Sequence, residues 1–503
     1  LVLGTLVALA CAVPALADDT EVFFNQANAR GVRPNILFVI DTSGSMNGLV
    51  SVPKAPYDPA TRYDGRCGDS NVYFQRAASG STPPTCAAAR HVDIEENKCA
   101  AAIRALAGRA GLWTGKTAQW DRDRIGWRAL RDNESEPVEC EADAGLHGID
   151  AAATRRWARN GDARNLWTAT EADALSWGGA EVYTLYSANY LNWYNAPDAP
   201  TEISRLDVVK SVGASIAYSV DDLNLGLMRF SAGAKTDDFS EGGMVMHEIA
   251  NLSQSRESIV ERLYDFTPDG FTPLSETLYE ASQYLAGRAV DYGLTSTVEN
   301  AVPFPSVRES RRPDDQSRYQ SPVQFQCQRN FVVVLTDGEP TSDSTADDKI
   351  AALPNFGRLG RTSCDGEGDG RCLDDMAEYL NRAADLAPDV PGRQNAITYT
   401  IGFGPEVAGS TFLDAVAARG GGRSFAANDV TQLTAALQSI FGDILQSGST
   451  FVAPSVSVNA FNRTQANNEL FVSVFKPDDT LRWLGNVKKY GIRDGRIVDA
   501  TGA

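Results

Sequence analysis

The chain has 503 residues, among them 46 basic and 65 acidic residues, and its formal net charge is −19. Single hydrophobic cores stop growing at ~250–300 residues, so we expect more than one domain. The acidic excess argues against nucleic acid as a partner, because a protein that binds it needs a basic patch to neutralise phosphates.

The N-terminal segment predicts export. An apolar run is followed by Ala15-Leu16-Ala17 and then by Asp18, which is the pattern of the second half of a secretory signal peptide. We therefore expect a signal peptide at 1–17, clipped at its start, and a mature protein that passes through the periplasm to the cell surface or outer membrane. No other stretch is long and apolar enough to predict a transmembrane helix.

Export makes disulfides possible. Beyond Cys11 the chain has seven cysteines: Cys67, Cys86, Cys99, Cys140, Cys327, Cys364 and Cys372. We expect the four between 67 and 140 to pair among themselves and Cys364 to pair with Cys372, which leaves one cysteine over. The connectivity stays open, and the irregular spacing fits no zinc pattern.

Two apolar runs, Phe38-Val39-Ile40 and Phe331–Leu335, predict strands that are buried on both faces of a parallel sheet. Further strands alternate with amphipathic stretches at helical spacing, which indicates a doubly wound α/β fold. We place this domain at 33–447.

Three insertions interrupt that domain, at 47–200, 290–326 and 341–370. The first contains seven of the eight tryptophans: Trp113, Trp120, Trp127, Trp157, Trp167, Trp177 and Trp193. These residues could form an aromatic binding platform or fill the core of a disulfide-bonded subdomain. The second insertion is polar and rich in Pro, Ser and Arg, so we expect a mobile loop.

Three distant segments carry hydroxyl and carboxylate side chains: DTSGS at 41–45, TPL at 272–274 and LTDG at 335–338. Two follow the predicted strands, at the edge where open α/β sheets bind ligands. Side chains of this kind at a strand-to-helix junction can also be helix caps. Oxygen ligands without Cys or His suit Mg²⁺, Mn²⁺ or Ca²⁺ rather than zinc or copper.

The three segments together resemble the metal-ion-dependent adhesion site of von Willebrand factor A domains. The resemblance implies that Ser43, Ser45 and Thr272 bind a divalent cation directly. It also implies that Asp41 and Asp337 act directly or through water.

A candidate second metal site, for calcium, lies in the third insertion, where Asp365, Glu367 and Asp369 alternate with glycines. The pattern matches the first half of a calcium loop, but Met376 stands where a bidentate Glu would close it. An acidic turn held by a disulfide is the alternative.

Residues 448–503 predict strands without helical periodicity, so we expect the start of an incomplete β domain in which 496–498 has no partner strand. The sequences LFVSVFKP at 470–477 and RWLGNVKKY at 482–490 are similar to a junction in the PilY family of type IV pilus tip adhesins and biogenesis factors. In that family a β-propeller follows.

The resemblance implies a secreted adhesion and pilus biogenesis factor at the pilus tip. Its expected partners are minor pilins and a host-cell or surface protein with an exposed Asp or Glu. We expect that the protein is not an enzyme. The three histidines are too scattered to form a catalytic triad or a zinc site, and Ser43 and Ser45 have no neighbouring base to activate them. The alternatives are another secreted A-domain adhesin or a matrix-binding protein unrelated to pili. A metal-chelatase subunit is disfavoured by the export signal.

Overall fold

The computed structural model describes residues 32–77, 82–132, 135–147, 156–160, 165–170, 175, 177, 180–220, 222–231, 242–294, 306–326, 328–407, 409–447, 451–458, 466–476, 484–493 and 496–498. The predicted signal peptide at 1–17, Cys11 and Cys327 lie outside the described residues. The chain divides into two compact units. One consists of Arg33–Gln324 with Arg329–Phe441, and the other contains Gly442–Ala503.

The larger unit is built on a six-stranded sheet. Its strands are β1 (Asn35–Ile40), β2 (Asn224–Phe230), β3 (Gly243–Asn251), β4 (Asn330–Thr336), β5 (Ala396–Phe403) and β6 (Gly421–Ala427). The spatial order is 3-2-1-4-5-6, and all neighbouring strands are parallel except the edge pair β2–β3. This mixed α/β architecture with a mostly parallel sheet of von Willebrand A type confirms the predicted fold class.

The described α-helices that lie in this unit or begin in it, other than those of the first insertion, are α1 (Arg205–Ser219), α2 (Leu252–Tyr264), α3 (Leu274–Leu285), α4 (Asp347–Ala351), α5 (Leu373–Glu378), α6 (Thr411–Arg419) and α7 (Val430–Ser447). The apolar stripe predicted for α1 is buried, since Leu206, Val209 and Ile216 are at most 3% exposed. A π-helical turn at Tyr379–Ala383 continues α5.

Both faces of the sheet are covered, as its apolar runs predict. All six residues of β1 and all seven of β4 are buried. Leu37, Val39, Val332 and Val334 belong to one apolar cluster, together with residues of α3 and α5. The alternate side chains, such as Phe38, are equally buried.

The first insertion forms an antiparallel sheet of its own. Its strands, in spatial order, are Arg90–Asp93, Asn71–Arg76, Glu181–Ser187, Leu112–Asp121 and Gly126–Arg128, with Val138–Cys140 also paired to Leu112–Asp121. Two helices, Ala100–Ala107 and Ala188–Asn195, accompany this sheet. At the base, Leu49–Val52 pairs antiparallel with Thr201–Ser204, so the outgoing and returning chains are tied together.

Disulfides join Cys67 to Cys86, Cys99 to Cys140 and Cys364 to Cys372, which confirms the predicted grouping. Disulfides form and persist in oxidising compartments, so these bonds are evidence that the protein lies outside the cytosol. Among the described helices, none has the length and apolarity required to cross a membrane.

The tryptophans of the first insertion are buried or half-buried rather than exposed on the surface. Trp113, Trp120 and Trp177 are buried, and the other four are half-buried. Trp120 and Trp127 contact edge to face, with ring centroids 5.6 Å apart. This burial favours the core-filling interpretation over the binding platform.

We expected a mobile loop at 290–326, and this expectation is wrong for the described residues 306–326. Tyr319 is fully buried, and its hydroxyl donates to Glu280 Oε1 at 2.6 Å. The same carboxylate accepts from the backbone N–H groups of Asp291, Tyr292 and Gly293, each at 3.1 Å. A polar sequence is ordered here because one buried carboxylate in α3 satisfies its donors.

The smaller unit contains a four-stranded antiparallel sheet, with strands Phe451–Val458, Ala466–Lys476, Leu484–Arg493 and Arg496–Val498. The strand at Arg496–Val498 pairs with Leu484–Arg493, so the expectation that it lacks a partner was wrong. Part of the PilY-like junction, residues 477–483, lies outside the described residues.

Candidate metal centre

The predicted metal segments meet at the carboxyl ends of β1 and β4. Asp41 directly follows β1 and Asp337 directly follows β4, and Asp41 N donates to Leu335 O at 2.9 Å. The chain leaves β1 towards β2 on one side and reaches β4 on the other, so this edge is the topological switch point of the sheet. Both carboxylates are almost inaccessible, at 0% and 1% exposure.

Asp41 organises the site. Its Oδ1 accepts from Ser43 N at 2.7 Å and from Ser43 Oγ at 2.5 Å. Its Oδ2 accepts from Thr336 Oγ1 at 2.6 Å and from Asp337 N at 3.3 Å. One carboxylate therefore fixes the loop after β1 to the loop after β4.

The donor oxygens follow one another at short distances. Ser43 Oγ lies 2.8 Å from Ser45 Oγ, and Ser45 Oγ donates to Asp337 Oδ1 at 2.6 Å. Adjacent ligands of an octahedral Mg²⁺ with bonds of ~2.1 Å lie ~3 Å apart, so this spacing suits a small divalent cation. All of these atoms are oxygens, and the residues present therefore fit Mg²⁺ or Mn²⁺.

The segment at 272–274 is held beside the segment at 41–45 by backbone hydrogen bonds between the residues before it and the loop after β1. Asp269 N donates to Thr42 O at 2.7 Å, and Gly44 N donates to Gly270 O at 3.0 Å. Thr272, which follows these residues, is 5% exposed, and its backbone N–H donates to Thr341 Oγ1 at 3.1 Å. The structure thus brings the loops of all five predicted residues to one edge of the sheet.

The third insertion supports this arrangement, which the sequence did not predict. Pro273, the residue before α3, makes no side-chain cap. Asp343 supplies the cap from a distant position, since its carboxylate accepts from Ser275 N at 2.7 Å and from Glu276 N at 3.1 Å. The helix that begins beside Thr272 is thereby fixed by a loop that follows β4.

Two more groups that sequence reasoning missed are Arg205 and Glu406. Arg205 Nη1 donates to Asp337 Oδ2 at 2.9 Å, and Arg205 Nη2 donates to Glu406 Oε2 at 2.7 Å. No sequence signal marks Arg205, because its partner carboxylate is 132 positions away. The two oxygens of Asp337 consequently have different partners, a hydroxyl on one and a guanidinium on the other.

Negative charge accumulates at this edge. Burial, and then the negative charge of Asp337, raise the pKa of Asp41 to about 6, although hydrogen bonds from Ser43 and Thr336 oppose the shift. Two carboxylates that are held together out of water repel each other. A divalent cation between them would relieve that repulsion.

The structure does not bring the second predicted set together. Asp365, Glu367 and Asp369 are all exposed, and within the described residues they form no group with ligand atoms within 4.8 Å. Asp369 instead accepts from Ser342 N and Asp343 N, at 3.0 and 3.4 Å. Asp365 lies with Asp374 and Asp375, and Arg419 forms ion pairs with all three. The geometry favours a charge network over a calcium loop.

A family model described as a domain of unknown function (DUF8355) matches residues 71–196. That match lies inside the first insertion and covers less than half of the chain. The comparison with curated proteins finds no match.

Several solved structures, among them the following three, are distantly similar to this chain. One is BatB, a conserved hypothetical protein of Bacteroides thetaiotaomicron, with a TM-score of 0.26 and 12% sequence identity. The match covers 48% of this chain and 89% of the BatB chain. The PilB minor pilin of Streptococcus sanguinis has a TM-score of 0.28 and 13% sequence identity, and the match covers 67% of this chain and 79% of the pilin chain. The open conformation of the pilus adhesin SpaC of Lactobacillus rhamnosus GG has a TM-score of 0.29 and 12% sequence identity. The match covers 58% of this chain and 34% of the SpaC chain. With TM-scores this low we draw neither a family nor a function from them.

Proposed function

We propose that the larger unit is an adhesive domain that binds a carboxylate of a partner protein through a divalent cation. The observation that carries the proposal is the chain of oxygens from Asp41 through Ser43 and Ser45 to Asp337, with successive contacts of 2.5, 2.8 and 2.6 Å. These side chains, with Thr272, would hold the ion.

The donor set explains why the ion would attract an anion. Serine and threonine hydroxyls are neutral ligands, so most of the ion's charge is left for the two aspartates to balance. An ion held in this way keeps a coordination position for an external Asp or Glu carboxylate. The proposal is therefore a binding function without a catalytic step.

Exposed apolar side chains lie close in sequence to two of the metal loops. Leu49, four residues after Ser45, is 64% exposed, and Phe271, directly before Thr272, is 41% exposed. Aromatic side chains such as Phe are enriched in the buried cores of protein interfaces. We infer a partner in which an apolar side chain neighbours the acidic one.

The proposed setting is the tip of a type IV pilus. The PilY-like motifs at 470–477 and 482–490 support it, together with disulfides that require an oxidising compartment. Immunogold labelling of piliated cells tests the setting: label at pilus tips supports it. Label spread over the cell body would favour a secreted adhesin unrelated to pili.

The cation site is tested by calorimetric titration of the folded protein with Mn²⁺. We expect Asp41→Ala to abolish binding and Ser45→Ala to weaken it at least about tenfold. Ser51→Ala, an exposed serine outside the site, is the matched control and should bind like the wild type. Circular dichroism checks that each variant is folded. Unchanged Mn²⁺ binding in both site variants would refute the proposal.

A further inference from the structure

Arg205 forms an ion pair with Asp337 of the predicted metal centre. Its side chain is only 11% exposed, and that of Asp337 is fully buried. Its other partner, Glu406, is 58% exposed, so solvent makes that second ion pair weaker than the buried one with Asp337. The guanidinium of Arg205 is therefore a mostly buried positive charge in direct contact with a carboxylate of the site.

The surrounding backbone is shaped around the guanidinium. A Cβ added to Gly48 would lie 3.1 Å from Arg205 Nε, and one added to Gly404 would lie 3.1 Å from Arg205 Cζ. Gly404 also has a φ of +125°, in a region that favours glycine. Two glycines from different loops therefore leave the space that the guanidinium fills.

The base of the first insertion fixes the backbone of Arg205. Its N–H donates to Gly48 O at 2.7 Å, directly beside the antiparallel pair Leu49–Val52 and Thr201–Ser204. Ser204 caps α1 by accepting from Asp207 N at 3.1 Å. Arg205 is thus the first helical residue after a constrained strand, and its position does not depend on a flexible loop.

We propose that Arg205 sets the net charge of the cation-loaded site, and thereby selects an anionic partner at the expense of cation affinity. This inference rests on the proposed function. The two positive charges of the ion are balanced by Asp41 and Asp337, and the buried guanidinium adds one more. Counted without the exposed carboxylate of Glu406, the loaded site is then positive by one charge and attracts a carboxylate, while the empty site is less negative and holds the cation more weakly.

A purely positioning role makes the opposite prediction. If Arg205 only oriented Asp337, its removal would misplace a ligand and weaken cation binding. If the positive charge of Arg205 dominates, neutralising it strengthens cation binding. A charge a few ångströms away in a partly buried site changes cation affinity by roughly tenfold. Arg205→Gln and Arg205→Lys separate these roles, since only lysine keeps the charge.

The experiment is Mn²⁺ titration of the folded full chain by calorimetry, with Arg312→Gln as matched control. Arg312 pairs with Asp314 in an exposed ion pair outside the site. We expect Arg205→Gln to bind Mn²⁺ about tenfold more tightly than the wild type. Arg205→Lys and Arg312→Gln should stay within about twofold of it. Weaker or unchanged Mn²⁺ binding in Arg205→Gln would overturn the inference and leave the proposed function standing.

Acetate serves as the carboxylate probe on the Mn²⁺-loaded proteins. Displacement of Mn²⁺-bound water by acetate is followed through the relaxation rate of water protons. Acetate should displace water at a concentration about tenfold lower in the wild type than in Arg205→Gln. Equal acetate affinity in the two proteins contradicts the inference. A wild type that binds no Mn²⁺ overturns the proposed function as well.

Discussion

Thr336 Oγ1 donates a 2.6 Å hydrogen bond to Asp41 Oδ2, across 295 positions of sequence. Thr336 is the last residue of β4, and its hydroxyl also lies 3.0 Å from Gly338 O. This contact connects the two loops that provide most of the predicted ligands. It places Thr336 among the residues that orient the site without touching the ion.

We therefore expect Thr336→Val to lower Mn²⁺ affinity by ~10–100-fold, the usual effect of losing a partner behind a metal ligand. Thr398→Val is the matched control, because Thr398 is equally buried in neighbouring β5 and its hydroxyl has no hydrogen-bond partner among the described residues. Calorimetric titration of both variants checks the prediction. Similar losses in the two would show that Thr336 acts through packing alone.

Phe271→Ala should change partner selection without changing Mn²⁺ affinity. Panning a random peptide library against the Mn²⁺-loaded wild type is expected to enrich peptides with an Asp or Glu beside an apolar side chain. Phe271→Ala should still enrich the acidic residue but lose the apolar preference. Ile125→Ala, which removes a side chain 54% exposed in the first insertion, is the control. An unchanged apolar preference in Phe271→Ala argues against the inferred partner.

Glu139 should make the stability of the protein depend on pH. Its side chain is fully buried, and Oε1 accepts from Trp167 Nε1 at 3.0 Å. Burial raises the pKa of Glu139 from the usual 4.5 to about 9. A carboxyl with a raised pKa in the folded state gives stabilisation that is fully present below the unfolded pKa and is lost progressively as pH rises from there to the folded pKa.

Denaturant unfolding followed by tryptophan fluorescence between roughly pH 5 and 9 tests this expectation. The midpoint of the wild type should fall across that range, and the midpoint of Glu139→Gln should fall less because the amide does not titrate. Glu141→Gln, at an exposed site paired with Lys116, should behave like the wild type. Parallel curves for wild type and Glu139→Gln would contradict the assignment.

Glu280→Gln should destabilise the larger unit by about 1–3 kcal/mol, the cost of leaving buried donors without an acceptor. The carboxylate accepts four hydrogen bonds that organise the described part of the second insertion. An amide keeps only one oxygen and would present N–H groups to backbone donors. Equilibrium denaturation at about pH 8 measures the effect, because burial raises the pKa of Glu280 to about 7. Exposed Glu309→Gln is the control, and equal stability of the two variants would refute the prediction.

The edge strand β6 is an element of the sheet that the sequence patterns did not predict. The segment Gly421–Ala427 contains two glycines, an arginine and a serine, and its residues are mostly exposed or half-buried. An edge strand pairs on one side only and needs no apolar run, so neither periodicity nor composition marks it. The buried strands β1 and β4 were predicted because burial on both faces demands unbroken apolar sequence.

The sequence by itself determined the α/β fold, the disulfide grouping and the segments that carry Asp41, Ser43, Ser45, Thr272 and Asp337. Each of these depends on patterns within a few residues: apolar runs, helical spacing, and hydroxyls and carboxylates at the end of a strand. Only the tertiary structure decided that Arg205 and Thr336 contact the site, that Asp343 caps α3, and that Asp365 belongs to an ion-pair network. Those contacts join single polar side chains far apart in the chain, and a polar residue carries no local mark of its partner.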